Sequence, residues 1–482
     1  MKILFVAPEL PPYSKVGGLG DVVHALSKAL VDAGENVKVF TPLYGGIQMG
    51  EGWDAHPAPL EIHAGAGTFG RLWEGKHPDG DVPIVFLEYK EYFERRGVYG
   101  PAAGGIFEDN QWRYALFSCA AIDMCGHLDW YPDVIHCHDW TTGLLPAMVN
   151  RESHAKHKVG DAATLLTLHN MKHQGGFKED VKDFARVAHE VETLGGYVNF
   201  LRNGILSANG LTTVSPTYAL EIQGSPGGCG LEGDLRKRGD HLWGVLNGID
   251  AESWDPAADP ALPANYSLEN LSGKGQCKAA LQGEMNLPAR PDVPVFGVVA
   301  RLFEQKGLDL LADCLWDFIS KHQTAQVVIL GSGDSKLEER FNGYAHGHPA
   351  NVSIATRFDE GLARRIFGGS DFFLMPSRFE PCGLTQMYAM RYGTLPVVRK
   401  TGGLADTVFP PYHAGGGTGI VFEEPSAWGL LQAMNEAVKV FNQPDTLQNL
   451  RYNGMSKDFS WKASVKEYQQ IYRILVDEKA KV

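Results

Sequence analysis

The run Lys15-Val16-Gly17-Gly18-Leu19-Gly20 follows directly on the apolar stretch "ILFVAPEL". Glycines let a ligand approach the backbone, and a helix starting there turns its amides toward an anion. Lys15 adds a full positive charge, so the run suits phosphate; it would serve equally as a plain strand-to-helix turn. A second cationic pair, Arg301 and Lys306, lies in "VVARLFEQKG". Two cations near one strand end suit a diphosphate, although any single lysine is ordinarily just solvated. In "LMPSRFEPCGLTQ", Glu380 stands on a turn fixed by Pro381 and Gly383. The amides that follow can receive an anion, and a carboxylate there can meet the positive charge that develops on a reacting sugar. "RKTGGLADTV" repeats the glycine-rich turn after a lysine, with Thr401–Gly403 exposing amides.

Two further strand ends carry polar residues. "PDVIHCHDW" closes with His136, His138 and Asp139, and "TLLTLHNMKHQGG" with His169 and Asn170. The two histidines of H-x-H point to one face of a strand, where structural histidines outnumber metal ligands, so no metal is assigned. Asp139 is the better functional candidate. His169 and Asn170 can hydrogen-bond a polar substrate or serve the structure. Asp79–Asp81, "DGD", reads as a turn. The loop after the first strand, "KVGGLG", fails the G-x-G-x-x-G pattern, and the P-loop pattern and H-E-x-x-H are missing, which argues against a dinucleotide-dependent dehydrogenase, a P-loop enzyme and a zincin.

These residues must be positioned by alternating strands and helices. "KILFVAPEL" predicts a buried strand. Leu19, Val22, Val23, Leu26, Ala29 and Leu30 then form a helical stripe stopped by Gly34, and "NVKVFTPLY" a second strand. Such a β-α-β unit implies parallel strands and a right-handed crossover. The alternation restarts near residue 293 with "VPVFGVVARL", a helix, "AQVVILGSGD", "DFFLMPS", another helix and "LPVVRK". Between the two series lies "NGIDAESWDPAADPALPANYS", a linker composition that places a boundary around residues 248–260. The expectation is an α/β protein with two Rossmann-like doubly wound domains: 1–250, 251–460, and a final helix over 461–482 that returns to the first domain. Ligands in such sheets bind beyond the carboxyl ends of the strands, so the site is expected in the cleft between the domains.

Composition narrows the partners. The 482 residues carry a formal net charge of −13, which offers no field for nucleic acid or an anionic membrane. No apolar run reaches the ~20 residues of a membrane helix. The seven cysteines are scattered without a CxxC pair, as expected for reduced thiols in a cytosolic protein. The N-terminus reads as the first strand rather than a signal peptide.

Taken together, "KVGGLGDV", "YFERRGVYG", "PDVIHCHDW", "HNMKHQG", "GVLNGID", "RLFEQKGLDLL", "PSRFEPCGLTQMYAMRYGTLPVVRKTGGLADTV" and "TGIVF" resemble the bacterial glycogen synthases and plant starch synthases. The pieces occur in that family's order and cover nearly the whole chain. The resemblance implies a GT-B fold with two lobes facing across a cleft. It also implies transfer of glucose from ADP-glucose, or UDP-glucose, to the non-reducing end of an α-1,4-glucan, with retention and without metal or cofactor. In the family's terms Lys15, Gly17 and Gly18 would meet the donor's phosphates and sugar, with Arg301 and Lys306 neutralising the diphosphate. Asp139, His169 and Asn170 would surround the glucose. Glu380 would lie by the donor sugar, with Cys382, Gly383, Leu384 and Thr385 in the same substrate-binding turn. Asp21, Tyr99 and Asn247 would line the cleft, and Phe358 would stack on the base.

Three positions depart from the family's pattern. Val16 stands where Thr is common. Phe358 follows Arg357 where Tyr commonly follows Gly. "HDWTTG" replaces the commoner "HDWHAG". Retention is compatible with double displacement or with front-face attack guided by the leaving phosphate; the resemblance favours the second. The rival readings are a related GT-B transferase with another donor or acceptor, and a catalytically weak glucan-binding paralogue. The expected setting is a bacterial cytosol, or a plastid if a transit peptide has been removed.

Overall fold

A computed structural model of the chain describes residues 1–101, 104–151, 159, 161–187 and 191–481. The chain divides into two compact units, Met1–Leu246 together with Trp461–Val482, and Asn247–Ser460.

In the first unit a sheet runs in the order Leu242–Gly244, Gly210–Thr213, Ala163–Leu168, Val134–His138, Lys2–Val6, Asn36–Pro42, Pro83–Glu88, Thr68–Lys76. Strands from Leu242–Gly244 through Pro83–Glu88 pair in parallel. Thr68–Lys76 closes against Pro83–Glu88 as an antiparallel hairpin. The hairpin's turn contains Asp79–Asp81, whose carboxylates pair with His24, Lys28 and Lys76. The central strands are buried from Ile3, Val134 and Ala163 onward, as expected of parallel strands covered on both faces. From Lys2–Val6 the chain first winds toward Pro83–Glu88, then returns through Val134–His138 and winds the other way. The winding direction therefore reverses between Lys2–Val6 and Val134–His138.

The C-terminal helix Trp461–Lys479 belongs to this unit. Trp461, Val465, Tyr468, Tyr472 and Leu475 recur at helical spacing, and they join Leu19, Val22, Val23, Leu26 and Leu30 of the helix Gly18–Asp32 in one core. The fully buried Tyr472 also places its hydroxyl 2.9 Å from Nδ1 of His136.

The second unit is built on six parallel strands in the order Val352–Ala355, Gln326–Leu330, Val295–Val299, Phe372–Met375, Leu395–Arg399, Ile420–Phe422. Its winding reverses between Val295–Val299 and Phe372–Met375, where Phe296 is in register with Phe372. Helices Leu308–Lys321 and Ala427–Phe441 pack their apolar faces into its core.

Removing the Tyr472 hydroxyl strands a buried imidazole nitrogen, so Tyr472→Phe should cost about 1–2 kcal/mol. Tyr472→Ala, which also leaves a cavity, should cost about 3–5 kcal/mol. Urea denaturation checks both, and an Ala variant with the wild-type midpoint would show that the helix is not part of this core.

Candidate active site

Each unit gathers its chemistry where the winding reverses, because there the loops after two adjacent strands diverge and leave a crevice. In the first unit those loops follow Lys2–Val6 and Val134–His138. The organiser of the first loop is Glu9, a residue the sequence reading passed over. Its side chain is buried, and its Oε2 accepts the amides of Val16 at 2.6 Å and Gly17 at 3.0 Å. Oε1 accepts the hydroxyl of Tyr99 at 2.7 Å. One carboxylate thus fixes the glycine loop and brings Tyr99 to it. The signal was present in the sequence: Glu9 is the one acid in the apolar run from Ile3 to Leu10. A Cβ at Gly20 would lie 3.2 Å from Glu9 and Pro11 atoms, so a side chain there would crowd the loop. Lys15 is exposed and Asp21 partly so, and they pair at 2.6 Å across the start of the helix that begins at Gly18.

The second loop begins at Asp139, whose backbone takes φ 53°, a conformation that non-glycine residues adopt at a cost of about 1–3 kcal/mol. This bend turns its carboxylate back to the next strand end, where Oδ1 accepts the amide of His169 at 2.7 Å. Burial pushes the Asp139 carboxyl up to about 7, opposed by the amides of His169 and Asn170 and helped by the charge of Glu9. His138 Nδ1 lies 3.1 Å from His169 Nε2, and His136 Nε2 lies 2.6 Å from Thr167 Oγ1. Burial lowers all three imidazoles, those of His136 and His169 to about 3. They are therefore neutral at physiological pH, and His169 can hydrogen-bond but not act as an imidazolium acid.

In the second unit the two loops follow Val295–Val299 and Phe372–Met375. Lys306 Nζ meets Glu380 Oε2 at 2.6 Å, and Ser377 Oγ donates to the same oxygen at 3.0 Å. Glu380 is buried and Lys306 partly exposed. Two glycines permit the approach. Gly307 has φ 64°, and a Cβ on it would lie 1.9 Å from the Pro376 carbonyl oxygen. Gly402 has φ 42°, and a Cβ on it would lie 1.9 Å from the Glu380 carbonyl oxygen. The amide of Gly403 donates to the carbonyls of Glu380 and Pro381, so the "KTGGL" turn braces the "EPCG" turn. Gln386 donates to the carbonyls of Cys382 and Gly383, and Thr385 Oγ1 to Met375 Sδ. The Cys382 thiol is buried, pushed up to about 12 by that burial, and bonded to the backbone of Asn247. It is packing, not a nucleophile.

The first unit thus assembles Lys15, Gly17, Gly18, Asp21 and Tyr99 around Glu9, with Asp139, His169 and Asn170 on the adjoining strand ends. The second assembles Lys306, Glu380, Cys382, Gly383, Leu384, Thr385 and Asn247 on neighbouring turns. Arg301 is exposed, its guanidinium 5.5 Å from the Phe303 ring, and among the described residues it makes no ion pair. Phe358 stands apart, 92% exposed, after the edge strand Val352–Ala355. Among the described residues no group of three or more His, Cys, Asp or Glu side chains forms a metal cradle.

Two doubly wound units with cationic and acidic groups at their strand ends suit a glycosyltransferase, and the family matches establish that class. The starch synthase catalytic domain model matches residues 2–237, and the glycosyl transferases group 1 model matches residues 285–456. A glycogen synthase of Anaeromyxobacter sp. is 43% identical, covering 98% of this chain and 99% of its own. One from Myxococcus xanthus is 42% identical over 99% and 100%. The catalytic domain of starch synthase IV from Arabidopsis thaliana, solved with ADP and acarbose, aligns with TM-score 0.87 at 32% identity over 99% of both chains. A sucrose-phosphate synthase from Thermosynechococcus elongatus, 18% identical at TM-score 0.61 over 99% of both chains, shares the fold. The chain belongs to the glycogen synthase and starch synthase family.

Asp139 gives a pH signature. Its carboxyl sits at about 7 in the folded protein against an ordinary 3.8, so between those values the folded state holds a proton that the unfolded state has released. The stability carried by the protonated form is complete below the lower value and is lost as pH rises through the upper one. Asp139→Asn should therefore flatten the fall in thermal midpoint from pH 5 to 8. Parallel profiles for the two proteins would show that Asp139 ionises normally.

Proposed function

We propose that this chain transfers glucose from ADP-glucose to the non-reducing end of an α-1,4-glucan, with retention of configuration and without a metal ion. The observation that carries the reading is the Lys306–Glu380 pair, held at the reversal point of the second unit beside a turn lined by glycine and backbone amides. The ADP and acarbose in the starch synthase IV structure support a nucleoside diphosphate donor and a glucan-like acceptor.

Cleaving the glucosyl–phosphate bond builds negative charge on the diphosphate and positive charge on the sugar. Lys306 and Arg301 take up the first, and the amides of Leu384 and Thr385 add to them. Glu380 holds the Lys306 ammonium in place and lies on the side of the developing cation. Preorganised charges of this kind act without reorientation during the reaction. Phe358 offers a ring face to the base, and Asn247 and Cys382 hold the backbone of the donor turn.

The first unit supplies Lys15, Asp21 and Tyr99 through the Glu9-ordered loop, and His169 and Asn170 through Asp139. Burial holds His169 at about 3, too weak a base to take the proton of the acceptor 4-hydroxyl, so that proton goes to the departing phosphate. Front-face attack is therefore the simplest retaining route, with the His169 carbonyl beside the sugar. The second unit is the donor domain and the first the acceptor domain. The seven free thiols are in keeping with a cytoplasmic setting.

Nucleotide release from ADP-glucose and from UDP-glucose, each with and without glycogen, tests the reaction. Glycogen-dependent release with ADP-glucose preferred is expected; release from neither donor would reject a synthase, and preference for UDP-glucose would reassign the donor. Lys306→Ala and Glu380→Ala should each lower kcat about 10²–10³-fold, the usual cost of removing one preorganised charge. A folded variant that turns over at the wild-type rate would remove that residue from the mechanism.

A further inference from the structure

Beyond the reversal point, the first unit carries a small antiparallel sheet of Gly176–Lys178, Tyr197–Asn199 and Thr193–Leu194. Gly195 and Gly196 both have positive φ, 59° and 80°, as a tight two-residue hairpin turn requires. The turn sets Leu194 directly opposite Tyr197. Alternation along the second strand buries Val198 in the core and sends Tyr197 and Asn199 to the outer face. Two large apolar side chains are consequently left side by side in solvent, Leu194 78% exposed and Tyr197 56% exposed. They border a depression of about 370 Å³.

Besides Leu231 and two glycines, the rest of its lining is polar and already ordered. Asn199 Nδ2 donates to Gln174 Oε1 at 2.7 Å, and Gln174 Nε2 donates to the carbonyls of Met171 and Cys229. Arg202 pairs with Glu192 at 3.0 Å and with Asp234 at 2.7 Å. The local charges cancel or leave a slight negative excess, so nothing here would hold a phosphate. Fixed amides and a planar ion pair beside an aromatic and an aliphatic side chain match a neutral ligand that is rich in hydroxyls and has apolar faces. Gln174 is four residues beyond Asn170 on the same loop, and the amides of Phe200 and Leu201 tie that loop to the neighbouring helix.

We infer that this groove is a glucan-binding subsite, with Tyr197 and Leu194 as the platform for a sugar ring and Gln174, Asn199, Glu192 and Arg202 as hydroxyl partners. It holds part of the acceptor chain other than the residue being extended. The inference rests on the synthase reading for the ligand's identity, and its test is separable from that reading.

Cys229 lies on the same depression and is exposed, whereas the other six cysteines are buried. It therefore reports occupancy without any turnover. Alkylation of Cys229 by iodoacetamide at pH 9, followed by mass spectrometry, should slow and reach a plateau as maltohexaose is added. Sorbitol at equal hydroxyl concentration should not slow it. In Tyr197→Ala, an exposed position whose truncation should leave the fold intact, protection should disappear and the KM for glycogen should rise about tenfold, equivalent to about 1.4 kcal/mol. The KM for the nucleotide sugar is the internal comparison. Wild-type alkylation that ignores maltohexaose, or a Tyr197→Ala enzyme with unchanged glycogen KM, overturns the subsite even if the enzyme makes glucan. Protection without any glucosyl transfer would uphold the subsite and overturn the synthase reading instead.

Discussion

The second unit depends on one ion pair. Lys306 and Glu380 come from loops after different strands, are separated by 74 residues, and meet at 2.6 Å with the carboxylate buried. A buried carboxylate is tolerated only when its oxygens are satisfied, and here Lys306 and Ser377 both bond Oε2. The pair in turn requires the backbones around it to come closer than side chains allow. Glycine at 307, 402 and 403 follows from that requirement, since a Cβ at any of them would strike a carbonyl of the opposing turn. The glycines of "QKG" and "KTGGL" are thus consequences of one electrostatic contact and the turn that delivers it.

The first unit solves a related problem with carboxylates turned inward. Glu9 and Asp139 place no charge toward solvent; they spend their oxygens on backbone amides and a phenol. Each fixes a loop that carries outward-facing polar groups, Lys15 and Asp21 in one case, His169 and Asn170 in the other. The raised carboxyl of Asp139 is the cost of this arrangement: solvation is given up so that one strand end can hold its neighbour. The neutral row His136, His138 and His169 follows from the same dryness: the nitrogens of His136 pair with Tyr472 and Thr167, and Nδ1 of His138 with Nε2 of His169.

Much of this was legible beforehand. Parallel strands covered on both faces read as short apolar runs, so "KILFVAPEL", "VPVFGVVARL" and "DFFLMPS" announced themselves, and the residue following each such run marked a strand's carboxyl end. Lys15, Asp139, His169, Arg301, Lys306 and Glu380 were singled out as candidates from the loops after such runs. Glu9 was not, because an acid in an apolar run reads as a strand-end residue until its three partners are seen. The hairpin at 193–199 was also passed over; strands of two or three residues have no periodicity to detect, and the exposure of Leu194 and Tyr197 is invisible in one dimension.

The sequence by itself determined which residue types stand at which strand ends, because hydrophobic period and glycine placement are local properties of the chain. It also determined that the last helix carries one apolar face. Tertiary structure alone decided which charges meet: that Lys306 takes Glu380, that Lys15 takes Asp21, that Asp139 reaches His169, and that Tyr472 reaches His136 across 336 residues. Those contacts depend on strand order. The reversal of winding that makes two particular loops neighbours is a property of the whole sheet, and no local segment encodes it.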